Sequence, residues 1–287
     1  MIRPLSILVG LGFSVAVLWA FGSGAYVAMT EGTGELSAEY AIHEKPHGPE
    51  GGFSFEGPLG KFDRAQLQRG FQVYKEVCAA CHGLKFVAFR NLQEIGFNEA
   101  EVKAIAAATP VPGIDRNTGE ATTRSGLPTD YFPSPYANDV AAAAANNNAI
   151  PPDLSLMTKA RKDGSNYVYS LLKGYGEPGD PEVMAKYPEF ETGAGLYFNK
   201  YFKNVNIAMA PPLTTDGQVT YAEGNPEPTI QQMSADVAAF LSWAAEPKME
   251  ERKKTGLWFL GFMIFVTILA YLSKKQVWAG LKTGRKD

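Results

Sequence analysis

Cys78-Ala79-Ala80-Cys81-His82 is the stretch of this sequence best equipped to do chemistry. Its two cysteines are the only ones in 287 residues, and standing three positions apart they form a local device, not a disulfide framework. Two thiols on one helical turn can each add across a vinyl group of a haem. The histidine that follows immediately is then placed under the iron as an axial ligand. Two other chemistries use part of the pattern. A thioredoxin-like dithiol needs no histidine and sits in a strand-to-helix context absent here. A zinc site would need two further good ligands, yet no third cysteine exists, and His43 and His47 lie in a Gly/Pro-rich stretch that reads as a loose arm. The pattern therefore reads as c-type haem attachment at Cys78 and Cys81, with His82 on the iron.

Such an iron needs a sixth ligand or an open face, and that choice separates an electron carrier from a ligand-binding haem. Of the eight methionines, Met1 and Met29 belong to an N-terminal apolar segment, Met263 to a C-terminal one, Met249 to the approach to it, and Met233 to the apolar face of a helix. Met184 sits in a charged loop and Met157 in a helical-looking run. Met209 lies in Ile207-Ala208-Met209-Ala210-Pro211-Pro212-Leu213, an extended apolar segment stiffened by two prolines. Because proline fixes φ, such a segment can hold a thioether over an iron at little further entropic cost. Met209 is the expected sixth ligand.

The elements that must position these groups are mostly helical. Asp63 followed by Gln66 is an N-cap signature, and Leu67, Gly70, Phe71, Tyr74 and Val77 share one face of a helix that runs into Cys78. Thr229 and Gln232 form a second capping pair ahead of an apolar stripe of Ile230, Met233, Val237, Phe240, Leu241 and Ala244, and this helix ends before Pro247. Shorter helices are expected at 98–108 and 165–174, and the Ala141 to Ala145 run followed by Asn146 to Asn148 reads as a short helix with a polar end. Pro110-Val111-Pro112-Gly113, Pro133-Ser134-Pro135 and Pro151-Pro152 mark loops, and no strand alternation or repeat is evident. The expected fold is mainly α: a haem domain at 61–250 with long irregular insertions, preceded by an extended arm at 31–60.

Apolar segments frame that domain. Pro4 to Thr30 is uncharged for 27 residues, about 40 Å as a helix, and suits either a signal peptide cut near Ser23-Gly24-Ala25 or an N-terminal anchor. Residues 255–273 are uncharged and span about 28 Å as a helix, with Arg252, Lys253 and Lys254 before them and Lys274 and Lys275 after. This reads as a transmembrane helix with a tail at 274–287. Residues 31–251 hold 29 of the 30 acidic residues but 18 of the 27 basic ones, an acidity that argues against a nucleic-acid partner.

A string of ordered segments resembles the cytochrome c1 family, the c-type haem subunits of ubiquinol:cytochrome c oxidoreductase (the cytochrome bc1 complex). The matching segments begin with Phe53-Ser54-Phe55-Glu56-Gly57-Pro58, the run Gln68 to His82 and Tyr131-Phe132-Pro133. They continue through Ala145-Asn146-Asn147, Pro151-Pro152-Asp153-Leu154-Ser155, Ala208-Met209-Ala210-Pro211-Pro212 and Trp243-Ala244-Ala245-Glu246-Pro247. The resemblance implies one covalently attached haem c with His82 and Met209 on the iron and Arg161 on a propionate. Asn146, Pro152 and Tyr167 are implied to line the haem pocket. It also implies partners: a cytochrome b, a Rieske iron–sulfur protein, a soluble or anchored cytochrome c as acceptor, and a dimeric complex. The haem domain would face the periplasm from a bacterial inner membrane, and this chain would be an electron relay within an oxidoreductase. Some bacterial members carry an additional disulfide near the methionine loop, which a chain without spare cysteines cannot make; the residues before Phe53 carry none of the segments on which the resemblance rests.

Two rival readings use the same residues. One is an anchored monohaem cytochrome or oxidase subunit. The other is a haem sensor in which Met209 leaves the iron open to CO. Whichever holds, the motif predicts a covalent haem: the denatured chain keeps its haem colour on a gel, acid acetone extracts none, and Cys78→Ala with Cys81→Ala yields no stable haem protein.

Overall fold

The computed structural model describes residues 2–30, 43–176 and 185–283, so residues 31–42 of the arm, Met184, and Arg285 and Lys286 of the tail lie outside the described residues. The architecture is mainly α. In chain order the helices are α1 (Ile2–Thr30), α2 (Arg64–Glu76), α3 (Glu99–Ala107), α4 (Asp139–Ala145), α5 (Met157–Ala160), α6 (Gly164–Lys173), α7 (Ile230–Ala245) and α8 (Met249–Thr283). Short 3₁₀ turns at Cys78–Ala80, Phe89–Ile95 and Pro188–Phe190 fill the intervals.

The core forms where α2 crosses α7. Asp63 caps α2 by accepting from the Ala65 and Gln66 N–H groups at 3.0 and 3.3 Å, and Thr229 caps α7 through the Gln232 N–H at 3.1 Å. Leu67, Gly70, Phe71, Val73 and Tyr74 are the buried face of α2. α7 is buried from Met233 to Ala244 on every side, more than its apolar stripe predicts, because α2, α5 and α6 all pack on it. Gly70 sits at the crossing: a Cβ there would come within 2.0 Å of the Asp236 carbonyl oxygen, so only glycine permits this approach. Phe71, Phe240, Tyr74, Phe132 and Phe89 continue the core as edge-on and tilted aromatic contacts.

The buried polar atoms at this crossing are accounted for. Arg69 grips the Asp236 carboxylate through Nε at 2.9 Å and Nη2 at 3.2 Å. Tyr221 Oη and Gln232 Nε2 donate to the same carboxylate at 2.9 and 2.8 Å. Gln72 Nε2 reaches the Thr220 carbonyl at 2.9 Å, so the segment before α7 is tied to α2 as well.

Two features depart from the sequence expectation. The His43–Gly60 stretch forms no helix or strand, yet it is not loose. Phe53 and Phe55 insert into the core, the Ser170 hydroxyl receives the His47 N–H and donates to the His47 carbonyl at 2.8 Å each, and His47 Nε2 meets the Tyr201 hydroxyl at 3.1 Å. Aromatic burial, which has no periodicity to reveal it, makes this stretch a strap. Strands also occur where only loops were expected. Strands β1 (Pro110–Ile114) and β2 (Ala121–Ser125) pair antiparallel, with Val111 opposite Arg124, and β3 (Tyr197–Phe198) pairs with β4 (Asn206–Ile207). β1 lacks alternation because its prolines occupy an edge that needs no N–H on that side.

Two helices are long and apolar enough to cross a membrane, Arg3–Thr30 within α1 and Met249–Gly280 within α8. The base of α8 is fastened to the domain. Lys253 Nζ donates to the carbonyls of Phe55 and Gly60 at 2.6 and 3.2 Å, and Glu250 accepts from the Phe62 N–H at 2.9 Å and pairs with Arg64. Glu246, just before α8, pairs with Lys159 and Arg252.

Because Asp236 is wholly buried and holds donors from α2, α7 and the loop between Met209 and α7, Asp236→Ala strands the Arg69 charge. A loss of about 3–5 kcal/mol is expected, read as a large drop in Tm or denaturant midpoint.

Candidate functional site

Helix α2 ends at Glu76, and the chain tightens into the 3₁₀ turn Cys78–Ala80. The Cys81 and His82 N–H groups both donate to the Cys78 carbonyl, at 3.1 and 2.9 Å, which gathers all three side chains onto one turn. Tyr74, one helical turn back, donates its hydroxyl to the His82 carbonyl at 3.0 Å. Burial and then the neighbouring Cys81 thiol push the Cys78 thiol up to about 12, so Cys78 stands here as a neutral thiol.

The orientation of His82 is set from across the chain. Its Nδ1 lies 2.7 Å from the Pro152 carbonyl oxygen. A carbonyl only accepts, so the proton is on Nδ1 and the Nε2 lone pair is left for a metal. Burial lowers the His82 pKa, opposed by the Pro152 hydrogen bond and the Asp153 charge, and favours the neutral imidazole that ligation requires. The Pro152 carbonyl is itself held. Asp153 accepts from the Lys85 and Ser155 N–H groups at 2.9 and 3.0 Å, Ser155 Oγ accepts from the Phe86 N–H at 3.1 Å, and the Leu154 N–H donates to Gly83 at 2.9 Å.

A second group gathers around Met209, which is partly buried just beyond β4. The Tyr175 hydroxyl donates to the Met209 carbonyl at 3.0 Å. Tyr167 and Tyr197 raise the Tyr175 pKa further above the ordinary range after burial has done most of it, and Arg161 hydrogen-bonds to Tyr167. Arg161 is exposed, its other contact being Nη1 on the Ala160 carbonyl at 3.3 Å, and among the described residues no carboxylate pairs with it. A cation without an acidic partner beside a ring of tyrosines suits an anionic group brought in by a ligand.

The structure thus brings Cys78, Cys81, His82 and Pro152 into one group and Arg161, Tyr167 and Met209 into another. Cys78 and Tyr167 pack on the same core. Asn146 joins neither by a hydrogen bond among the described residues: its Nδ2 turns back to the Ala142 carbonyl at 2.7 Å and closes α4. The next residue, Asn147, is left-handed at φ +52° and reaches the Gly195 carbonyl at 3.2 Å. Met157, the alternative thioether, starts α5 and packs on the core, and Met233 is wholly buried in α7. Sequence reasoning missed Asp153, whose Asp-Leu-Ser turn was there to be read, and Tyr175, which nothing local distinguishes.

One donor set, a neutral imidazole beside two adjacent thiols, fits a haem joined through both sulfurs. Comparison with known proteins points the same way. The model of the Cytochrome C1 family matches residues 53–281. Cytochrome c1 of Rhodospirillum rubrum is 46% identical over 238 residues, covering 80% of this chain and 87% of that protein. Cytochrome c1-1, heme protein, mitochondrial, of Solanum tuberosum is 40% identical over 276 residues, 96% of this chain and 79% of that one. The cytochrome b/c1 of Bradyrhizobium diazoefficiens is 46% identical over 250 residues, 82% of this chain and 36% of that longer one.

Asp153→Ala removes the acceptor of two backbone N–H groups and frees the Pro152 carbonyl to swing from His82. The expected cost is about 2 kcal/mol of stability, with a weakened hold on any metal at Nε2, measured as thermal unfolding and retained metal content.

Proposed function

This chain belongs to the cytochrome c1 family, and from that membership we propose that it carries one covalently attached haem c and relays single electrons within a ubiquinol:cytochrome c reductase. Cys78 and Cys81 would hold the haem through their sulfurs, His82 Nε2 and the Met209 thioether would ligate its iron, and Arg161 with Tyr167 would receive a propionate. Bound there, the haem supplies an iron that cycles between ferric and ferrous without any substrate bond being made or broken.

The chain's own residues do the rest. Pro152 fixes the imidazole tautomer, the Asp153 turn holds Pro152 in place, and the apolar wall of α2, α7 and Phe132 keeps water from the Cys78 side. The observation that carries the reading is the Nδ1–H bond to Pro152 at 2.7 Å, which readies Nε2 beside the paired cysteines. The Rieske protein is the proposed donor and a cytochrome c the acceptor. Cytochrome b is the proposed membrane neighbour, a reading supported by the relative that joins b and c1 in one name. The domain is placed on the periplasmic side of the inner membrane, held by α8, with residues 274–287 in the cytoplasm and residues 1–30 serving as signal peptide or second anchor.

The test uses the chain in its own membrane. Purified by a tag, it should bring with it a b-type cytochrome and a Rieske protein, and added quinol should reduce its haem. Met209→Leu should keep the haem, lower its potential and let the ferrous iron bind CO. Purification as a lone haem protein would favour an anchored carrier or oxidase subunit, and CO binding by the unaltered chain would favour a sensor.

A further inference from the structure

Met209 follows the β3–β4 hairpin on a segment without helix or strand, so its main chain must be fixed from elsewhere. The Tyr175 hydroxyl does this from 34 positions away, donating to the Met209 carbonyl at 3.0 Å. Tyr175 in turn stands on a rigid base. Its backbone bridges to Asn199, and the Lys200 N–H donates to the Gly174 carbonyl at 3.2 Å. Asn199 is wholly buried, donates from Nδ2 to the Leu171 carbonyl at 2.7 Å and accepts the Tyr201 N–H at 3.1 Å. Gly174 is needed for this fit, since a Cβ there would lie 2.5 Å from the Tyr201 ring and 2.6 Å from Asn199 Oδ1.

The hairpin that delivers Met209 is under tension. Val205, β-branched and wholly buried, is left-handed at φ +51°, an unfavourable conformation for such a residue. It is kept there by the bond from the Asn199 N–H to its carbonyl, at 2.7 Å, and by its own N–H on Phe202, at 2.9 Å. A strained turn keeps its shape only while it is tied. Of the ties among the described residues, the Tyr175 hydroxyl is the one that lands on the methionine itself.

We propose that Tyr175 is a positioning residue for the Met209 ligand: its hydroxyl fixes the Met209 carbonyl and so holds the thioether at the sixth position of the iron. The proposal rests on the reading of Met209 as that ligand. An outer partner of this kind typically changes the hold of its ligand by about 10–100-fold. A looser methionine competes less well, so any external ligand for the iron gains apparent affinity by the same factor.

The experiment compares four full-length haem proteins in their native membranes: the unaltered chain, Tyr175→Phe, Tyr197→Phe and Met209→Leu. The readouts are haem content, cyanide affinity of the ferric form and CO binding by the ferrous form. Tyr175→Phe should keep its haem and bind cyanide about tenfold more tightly. Tyr197→Phe, which removes a neighbouring hydroxyl that does not reach Met209 among the described contacts, should match the unaltered chain. Equal cyanide affinity in Tyr175→Phe and the unaltered chain overturns the positioning role. Met209→Leu reports separately on the underlying reading: open to CO and cyanide, it upholds Met209 as ligand, and closed to both, it removes the ligand and this proposal with it. Should Tyr175→Phe yield no haem protein, Tyr175→Leu, which also removes the hydroxyl and adds no ligand, replaces it. About tenfold tighter cyanide binding in that variant upholds the positioning role, and wild-type affinity overturns it.

Discussion

Where α2 crosses α7, the backbones approach until only a hydrogen fits at Gly70, and the Asp236 carboxylate beside that contact is surrounded by Arg69, Tyr221 and Gln232. Everything that makes the site depends on this crossing. The continuation of α2 is the turn bearing Cys78, Cys81 and His82, while the segment leading into α7 descends directly from Met209. A buried charge with all its partners contributes little net stability by comparison with apolar packing, but it has only one arrangement in which no charge is orphaned. The crossing therefore specifies register as well as contact, and register is what a two-ended ligand set requires.

Much of this was legible in the residues themselves. The caps at Asp63 and Thr229 and the apolar faces they open locate α2 and α7, since both signals are local. The shorter helices α3 and α6 fall where expected, and the apolar run at 255–273 lies within α8. The Asp236 network was not legible, because its members lie as far apart as Arg69 and Asp236 and each alone reads as a surface polar residue. The strap from His43 to Gly60 escaped for a related reason: Phe53 and Phe55 find the core without any helical or strand period to mark them. The β3–β4 hairpin, two residues per strand, is too short to alternate.

The candidate site was legible by half. Paired cysteines followed by histidine announce themselves by spacing, and the double proline after Met209 marks that loop. What sets their geometry does not announce itself. The Pro152 carbonyl, the Asp153 turn and the Tyr175 hydroxyl act through main-chain atoms that every sequence possesses, so their role emerges only when folding brings them opposite His82 and Met209. Asn146, implied to line the pocket, has a structural part that its sequence context does not show: its amide closes its own helix.

The fastening of α8 to the haem domain has a mechanical consequence. Lys253 is clamped by two strap carbonyls, Glu250 by Arg64 and the Phe62 N–H, and Glu246 by cations on both α5 and α8. These ties encircle the base of the helix, so the domain has no swivel at its root and would turn only as the shaft turns. A group held in the domain therefore keeps one bearing relative to the axis of α8. On the reading proposed above, a partner approaching the haem would meet it in the orientation that this fixture sets.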